Sequence, residues 1–506
     1  MQFNVVKNAK RNIVFGVVNK IVLMICPFIE RTVIKYAMGA QYLGLNSLFS
    51  SILTVLSLSE LGFSSAVVYH MYKPIAEGDT KTVNALLRLY RRAYKIIGLC
   101  IVTIGLMLIP VLPKLIKNSY PEGLNLVGLY LIFLLNTALS YFMFSYMSSL
   151  IVVHQRDDLN STINTVIKIL LTGSQIAILL ITHNYYLFAI SMPVFTILNN
   201  LWIALVVKKN FPQYHCEGSV SSEKLAGIKR VVAGSFIQKA CNVTRNSLDS
   251  ICISTFLGLT MTAMYNNYYT ILHSITVLLG VISVSFAGGV GNHVATKSSQ
   301  ENFSELRYID FAYLTLSGWC ATCLLCLLQP FMQIWMGKEM MFPISIVILF
   351  CVYFYLLKLG DMRAMYSVGR GLQWEHRWRS IIETIANLAL NILLGKFFGV
   401  YGIISATIIS LFLCNYIWGA QITFSNYFSR KCLKEYYLYQ AKFTLVSFVS
   451  CALTYFLCSI VAGENLWLIL VIRMILCCII PACTYYLVYR HTEEFDYLKK
   501  KLLKRT

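Results

Sequence analysis

Charged side chains inside long apolar stretches are the first residues of this sequence that could do chemistry. In the run from 12 to 38, Lys20 and Arg31 fall on one helix face at about 100° per residue. Ionisable groups at bilayer depth are costly and usually face a water-filled cavity or a partner. We therefore predict that Lys20 and Arg31 line a polar cavity and that Glu30 pairs with a neighbouring cation. Lys35 lies nearer the membrane surface, where outward snorkelling explains it equally well.

Small polar side chains in the second apolar stretch offer hydrogen bonds rather than charge. They recur at spacings of four, four and three residues, as Asn46, Ser50, Thr54 and Ser57. At about 1.5 Å per residue the stripe covers roughly 17 Å of one helix face. Small polar residues also serve for helix packing in bilayers, so the stripe alone is a weak signal. Because Glu60 lies at its inner end, we interpret the stripe as part of the same cavity.

A later stretch, from 230 to 257, repeats this theme. Its polar face consists of Lys239, Asn242, Asn246 and Asp249. Arg245 lies one turn before Asp249, so the two either neutralise one another or both face the cavity. With Lys168 added, the basic residues outnumber the acids deep in the predicted bundle, which favours an anionic ligand such as a phosphate.

The intramembrane acids are hypotheses for ion coupling, because such carboxylates carry protons in membrane pumps. The candidates for H+ or Na+ coupling are Glu30, Glu60, Asp249 and Asp361. Structural pairing is the commoner role, and Lys358 is a suitable partner for Asp361. Asp310 and Glu383 are further isolated charges.

Cysteine and histidine give no indication of a metal site, a cofactor or catalysis. Cys320, Cys323 and Cys326 have a metal-type spacing, but they lie on one apolar helix without His or carboxylate partners. We interpret them as small buried hydrophobes. His70 and His154 lie at helix ends, with no Ser/His/Asp arrangement. The chain is predicted to be no enzyme and to need no cofactor.

These residues must be positioned by membrane helices. Of 506 residues, 57% are hydrophobic and 13% are charged, whereas a soluble protein has about 25% charged residues. Apolar runs long enough to cross a bilayer recur along the whole chain, which predicts an all-α polytopic protein with about 14 spans. The predicted spans are 12–38, 42–72, 94–116, 124–153, 159–182, 185–207, 230–257, 261–287, 308–335, 343–369, 378–398, 400–426, 441–462 and 466–489.

The net charge of +21 has a distribution that argues against nucleic-acid binding. About 30 Lys and Arg residues lie at the termini and in the even-numbered loops, against about four in the odd-numbered loops. This pattern predicts a multi-pass protein of a bacterial inner (plasma) membrane with both termini in the cytoplasm. The basic residues beside the membrane are expected to contact anionic lipid headgroups.

An internal echo predicts two pseudo-symmetric lobes. Lys20, Glu30 and Gly39 recur at the same spacing as Lys239, Asp249 and Gly258. Six spans per half is an even number, so such repeats would be parallel ones. We predict a six-helix lobe at 1–208, a cytoplasmic linker at 209–229, a second six-helix lobe at 230–428, and two extra helices with a basic tail at 429–506.

Several short motifs resemble a known family. They are Gly39-Ala40-Gln41-Tyr42-Leu43-Gly44-Leu45-Asn46, Glu60-Leu61-Gly62-Phe63, Tyr69-His70-Met71-Tyr72-Lys73-Pro74-Ile75, Tyr366-Ser367-Val368-Gly369-Arg370-Gly371-Leu372-Gln373 and Asn387-Leu388-Ala389-Leu390-Asn391. With the fourteen spans, they resemble bacterial Wzx-type polysaccharide flippases. These belong to the MOP superfamily, together with lipid II flippases and MATE drug exporters.

The resemblance implies a MATE-like fold with a central cationic cavity between its lobes. It also implies alternating access that carries an undecaprenyl-diphosphate-linked oligosaccharide from the inner to the outer leaflet, for O-antigen, capsule or exopolysaccharide synthesis. The polyprenyl tail would stay in lipid along the thirteenth and fourteenth helices. Polysaccharide polymerase and chain-length proteins would be partners. Arg31, Lys239 and Arg245 carry over only as cavity-lining candidates.

Two alternatives remain open. A MATE-like multidrug or cation-coupled exporter would need a net acidic cavity and normally has only twelve spans. A membrane polysaccharide polymerase or ligase would need a large outer loop with catalytic Arg or His residues, and the predicted outer loops are short. The surplus of intramembrane Lys and Arg favours the flippase.

Overall fold

The computed structural model describes residues 5–57, 63–117, 120–220, 222–461 and 463–503. All regular secondary structure in these ranges is helical, so the predicted all-α class is confirmed. Glu60, one of the predicted coupling residues, lies outside the described residues.

The helices, in chain order, are α1 (Val5–Met38), α2 (Ala40–Leu56), α3 (Phe63–Glu77), α4 (Thr80–Met107), α5 (Leu126–Phe142), α6 (Ser148–Val153), α7 (Asp157–Thr182), α8 (Tyr185–Asn210), α9 (Ser222–Leu257), α10 (Leu259–Thr296), α11 (Ser299–Met336), α12 (Ile344–Lys358), α13 (Asp361–Arg370), α14 (Arg377–Ser410), a π-helix (Leu411–Trp418), α15 (Gly419–Asn426), α16 (Arg430–Ile460), α17 (Leu466–Tyr489) and α18 (Glu493–Leu503).

Nine helical segments within the described ranges are long and apolar enough to cross a membrane. The number rises to 11 if each of two bent pairs counts as one span. One pair, α4 and the 3-10 turn Ile109–Leu115, bends by 60°. The other, α5 with Ser145–Val153, bends by 45°. These recurring apolar helices make this a multi-pass membrane protein. The predicted span 42–72 falls on two helices, α2 and α3, and on residues between them that lie outside the described ranges.

The 50-residue segment Arg377–Asn426 contains two of the predicted spans. It reverses at Gly399, whose φ of 59° and ψ of −133° are not helical. The amide of Asn387 donates to the Thr407 hydroxyl at 3.0 Å. In a straight helix, residues 20 positions apart would be roughly 30 Å apart. The two halves therefore pack side by side, as the sequence predicts.

The chain divides into two compact units, Met1–Ala263 and Met264–Thr506. In the first unit, α1 packs along α7, α5 along α8, and α2 along α9. In the second unit, α11 is central and contacts α12, α16 and α17. The predicted division into lobes at 1–208 and 230–428 stays a prediction.

Two glycine turns have matching geometry. Gly39, between α1 and α2, has a φ of 98°, and Gly258, between α9 and α10, has a φ of 93°. Each glycine N–H donates to the carbonyls four and five residues earlier, at 3.0–3.1 Å for Gly39 and 3.1–3.2 Å for Gly258. Both positions need the left-handed region that glycine enters without steric cost. The repeated spacing in the sequence therefore marks a repeated turn.

Candidate functional site

The position of α1 is fixed by polar contacts with α7. Near its start, the Arg11 guanidinium lies 2.9 Å from the Asp158 carboxylate. Two turns further on, the Asn19 amide donates to the Thr165 hydroxyl at 2.9 Å. Such hydrogen bonds between membrane helices fix register, since lipid gives no hydrophobic drive for association. They set the height at which Glu30 lies beside α7.

Glu30 is a partner of α7. The Lys168 ammonium and the Glu30 carboxylate form an ion pair and a hydrogen bond. The same oxygen of Glu30 accepts from the Thr172 hydroxyl at 2.8 Å. Lys168 and Thr172 are one turn apart on α7, so both reach one carboxylate. Two of the predicted site residues therefore neutralise each other.

Arg31 points toward α2 and the N-terminal part of α10. One guanidinium nitrogen donates to the Ser47 hydroxyl at 3.2 Å, and another donates to the Ala263 carbonyl at 3.2 Å. The helices meet closely here, because a Cβ on Gly44 would lie 2.0 Å from the Leu259 carbonyl oxygen. Glycine at position 44 therefore lets Arg31 reach both partners.

The predicted stripe on α2 is only partly buried. Ser50 and Thr54 are exposed, and Asn46 is half-buried. The Thr54 hydroxyl donates to the Ser50 carbonyl at 2.6 Å, which leaves its oxygen able to accept another bond. The Oδ1 of Asn46 is buried without a hydrogen bond. An unsatisfied amide oxygen is costly, so Asn46 is suited to a donor such as a sugar hydroxyl or water.

The residues of the predicted polar face of α9 differ in how deeply they are buried. Lys239 and Asn242 are exposed and Asn246 is half-buried, whereas Arg245 and Asp249 are 4% and 1% exposed. In the first unit, the structure thus describes five predicted cations against two carboxylates, Glu30 and Asp249. With Glu60 the count is five against three. The candidate set keeps a net positive charge whichever groups pair.

Three charged residues of the second unit, Lys358, Asp361 and Asp310, have matched partners. The Lys358 ammonium lies 2.8 Å from Asp361 Oδ2, which also accepts from the Tyr313 hydroxyl at 2.6 Å. Asp310, 1% exposed, accepts from the Gln440 amide at 2.8 Å. Asp361, whose side chain is 31% exposed, therefore joins α11, α12 and α13 through its bonds to Tyr313 and Lys358.

Arg363 is held by the π-helix. It is 2% exposed and donates to the Tyr416 and Asn415 carbonyls, both at 2.9 Å. A Cβ on Gly360 or Gly419 would lie 2.9 or 3.0 Å from its guanidinium, so these glycines leave room for it. A π-turn leaves carbonyls without their usual i+4 partners, and the guanidinium satisfies them.

Sequence reasoning missed the neutral partners of these charges. Ser47 and Thr172 are visible as polar residues next to predicted sites, but their partners lie on other helices. Gln440, fully buried on α16, had a signal in the sequence as an uncharged polar residue at the start of an apolar run. The Ala263 carbonyl had none, because any residue could supply it.

One group of three metal-ligating side chains lies close together within the described ranges. It consists of Cys326, Cys458 and Cys477. It belongs to the second unit and has no part in the cationic candidate site.

Comparison with solved structures identifies the fold. The lipid II flippase MurJ in an inward closed conformation aligns with a TM-score of 0.68 and 15% identity, over 94% of this chain and 99% of its own. An inward-facing multidrug resistance MATE family transporter of the MOP superfamily aligns with a TM-score of 0.61 and 14% identity, over 84% and 99%. A MOP superfamily transporter from Pyrococcus furiosus aligns at 0.53 and 13%, over 85% and 96%.

No protein-family model matches the chain, and no curated protein matches it. The fold is therefore shared with MOP-superfamily transporters, while the resemblance to Wzx-type flippases stays a prediction.

Proposed function

We propose that this protein is a flippase that moves a lipid-linked oligosaccharide diphosphate across the membrane by alternating access. The observation that carries the proposal is the surplus of cations in the candidate set of the first unit, which contains Lys20, Arg31, Lys168, Lys239 and Arg245 against Glu30, Asp249 and Glu60. A phosphorylated headgroup cannot cross about 30 Å of hydrocarbon unaided. Arg31, Lys239 and Arg245 supply positive charge, and Asn46, Ser50 and Thr54 supply groups for sugar hydroxyls.

An apolar groove in the second unit supports a lipid-linked substrate. It encloses about 690 Å³ between α12, the π-helix and α16. Its lining includes Leu356, Phe412, Leu445 and Phe448. Such a surface suits a polyprenyl chain, which gains about 0.8 kcal/mol per buried CH2 group. The tail is expected along the predicted thirteenth and fourteenth spans; the groove is lined in part by α16, which contains most of the thirteenth span, and its lining includes no residue of α17, which contains the fourteenth.

The direct test is transport of a fluorescent polyprenyl-diphosphate oligosaccharide in vesicles that contain the purified protein. Arg31→Gln and Lys239→Gln should each slow transport by about 10- to 100-fold, because a hydrogen bond to a charged group contributes about 1.5–3 kcal/mol. Lys396→Gln, an exposed cation of the second unit, is the matched control and should transport normally.

Thermal unfolding in detergent shows whether each variant is folded. Folded Arg31 and Lys239 variants with wild-type rates would remove both residues from the site. The rival exporter predicts that the wild type carries a cationic dye instead of the diphosphate. Transport of the dye alone would refute the flippase.

In the native host, the same variants should lose surface polysaccharide while insertion into the inner membrane continues. Coupling to H+ or Na+ would use Glu30, Glu60, Asp249 or Asp361 as proposed carriers. Transport measured against a pH or sodium gradient, with each acid replaced by its amide, tests them one by one.

A further inference from the structure

Three cysteines from distant parts of the sequence meet inside the second unit. Cys326 lies on α11, Cys458 on α16 and Cys477 on α17. Their sulfur atoms all lie within 4.8 Å of one another. The three residues are 1%, 1% and 0% exposed. The spacing of Cys320, Cys323 and Cys326 on one helix indicates only small hydrophobes, but this cluster joins three helices.

The geometry of the cluster fits one metal ion. With metal–sulfur bonds of about 2.3 Å, a trigonal ion separates its sulfurs by about 4.0 Å. That separation is within the observed limit of 4.8 Å. The sulfurs would need to move by less than an ångström or so to reach a common ion.

The type of ligand atom indicates which metal ion the cysteine cluster would bind. Sulfur is the only ligand type in the cluster, and soft thiolates select Cu(I) or Zn. Structural Zn²⁺ sites in proteins almost always have four ligands, whereas, among the described residues, the sulfurs that lie within 4.8 Å of one another here are three. We propose that Cys326, Cys458 and Cys477 form a three-coordinate Cu(I) site.

The charge balance is supported by Arg473 on α17. Binding of one Cu(I) converts three thiols into three thiolates and releases three protons to water, so the complex carries two negative charges. The Arg473 guanidinium donates to the Cys326 and Val461 carbonyls, both at 3.4 Å.

Its Nε is buried without a hydrogen bond, and none of the ion pairs that the structure describes includes Arg473. Through the Cys326 carbonyl, Arg473 is bonded to the backbone of one proposed ligand, and thiolates formed in the cluster would offset its charge.

Outer contacts hold the ligands in place. The Trp319 indole N–H donates to the Cys477 carbonyl at 2.8 Å, and Cys323 packs against the cluster. An ion at this point would cross-link α16 and α17 to α11. The site would then stabilise the attachment of the last two long helices, separately from the transport path.

The test is Cu(I) retention by the purified full-length protein in detergent, with thiols kept reduced. Cu(I) is supplied as its bicinchoninate complex, and the chelator competes with the protein for the ion. The wild type should hold one tight equivalent. The Cys326→Ser/Cys458→Ser/Cys477→Ser variant should lose it. The matched control, Cys100→Ser/Cys478→Ser/Cys483→Ser, removes only exposed thiols and should keep it.

Two further measurements make the result decisive. Arg473→Met should weaken Cu(I) binding by about 10- to 100-fold, the usual loss for an outer partner of a metal site. X-ray absorption of copper in the wild type should show three sulfur neighbours at about 2.3 Å, and it needs no variant to fold.

The proposal is overturned if the wild type retains no Cu(I) or if the cluster variant retains as much as the wild type. It is also overturned if copper has nitrogen or oxygen neighbours, or if Zn²⁺ alone is held tightly. None of these measurements depends on transport, so the flippase proposal stands or falls separately.

Discussion

The two units differ in the balance between cations and acceptors among the charged side chains of their membrane helices. In the second unit, three largely buried cations have matched acceptors: Lys358 has Asp361, Arg379 has Glu383, and Arg363 has two carbonyls. In the first unit, five candidate cations accompany two or three acids. Paired charges stabilise the packing of the helices, whereas a surplus of positive charge attracts an anionic ligand. This contrast is one basis of the proposal that the charges of the first unit bind the substrate.

The largest effect should come from breaking a matched pair. The side chains of Arg379 and Glu383 are 11% and 7% exposed and lie 2.8 Å apart. Glu383→Leu leaves the guanidinium without its carboxylate and should cost about 3–5 kcal/mol of stability. Thermal unfolding in detergent measures the loss. Arg379→Met/Glu383→Leu should recover most of it, and a single variant as stable as the wild type would contradict the matched-pair interpretation.

A smaller effect is expected at the Lys168–Glu30 pair of the first unit's candidate set. Lys168 and Glu30 are 22% and 19% exposed, so water screens them in part. Lys168→Met should cost about 1–3 kcal/mol, because Glu30 keeps only the Thr172 hydroxyl as a donor. Glu30→Leu/Lys168→Met should unfold close to the wild-type temperature. Equal losses in the single and double variants would show that the pair contributes nothing as a pair.

Acid should destabilise the second unit through His376, in the connection between α13 and α14. Burial, then Arg379 and Arg363, lowers the pKa of His376 from 6.5 to about 3. The unfolded chain takes up this proton first, so the contribution is complete above pH 6.5 and falls as the pH drops toward 3. Between pH 6.5 and about 5 the loss should be about 1–2 kcal/mol.

His376→Gln should remove this part of the pH dependence. The measurement is the difference between the unfolding temperatures of the wild type and the variant, followed from pH 6.5 to about 5. Parallel pH profiles for the two proteins would place the histidine outside the matched network.

The smallest change in stability is expected where the cations are in surplus. Lys20 is exposed, so Lys20→Gln should shift stability by no more than about 0.5 kcal/mol. A loss as large as that of Glu383→Leu would mean that this lysine is structural, and the contrast between the units would disappear.

The sequence predicted the helices better than their contacts. Hydropathy located the spans, and Gly39 and Gly258 marked two turns, because both signals are local. The pairing of Glu30 with Lys168 joins the first and fifth spans, and helical periodicity says which face a residue occupies but not which helix it meets. For the same reason, the convergence of Cys326 with Cys458 and Cys477 had no signal along the chain.

Bends inside spans were also missed. The prediction of one continuous span at 124–153 became two helices with a 45° bend after Phe142. Apolar side chains are compatible with lipid whether a helix is straight or bent, so the composition of a span does not reveal a bend in it.

The π-helix at Leu411–Trp418 sets which face the following helical residues present to their neighbours. Such a stretch contains residues beyond what an ordinary helix of that length would hold. Removing one of them would restore regular α-helical hydrogen bonds. The carbonyl oxygens of residues 415 and 416 would then no longer be free to accept from Arg363, and the helix that follows would rotate by about 100°. Insertions and deletions here should therefore be far less tolerated than substitutions, although the segment contains no charged side chain.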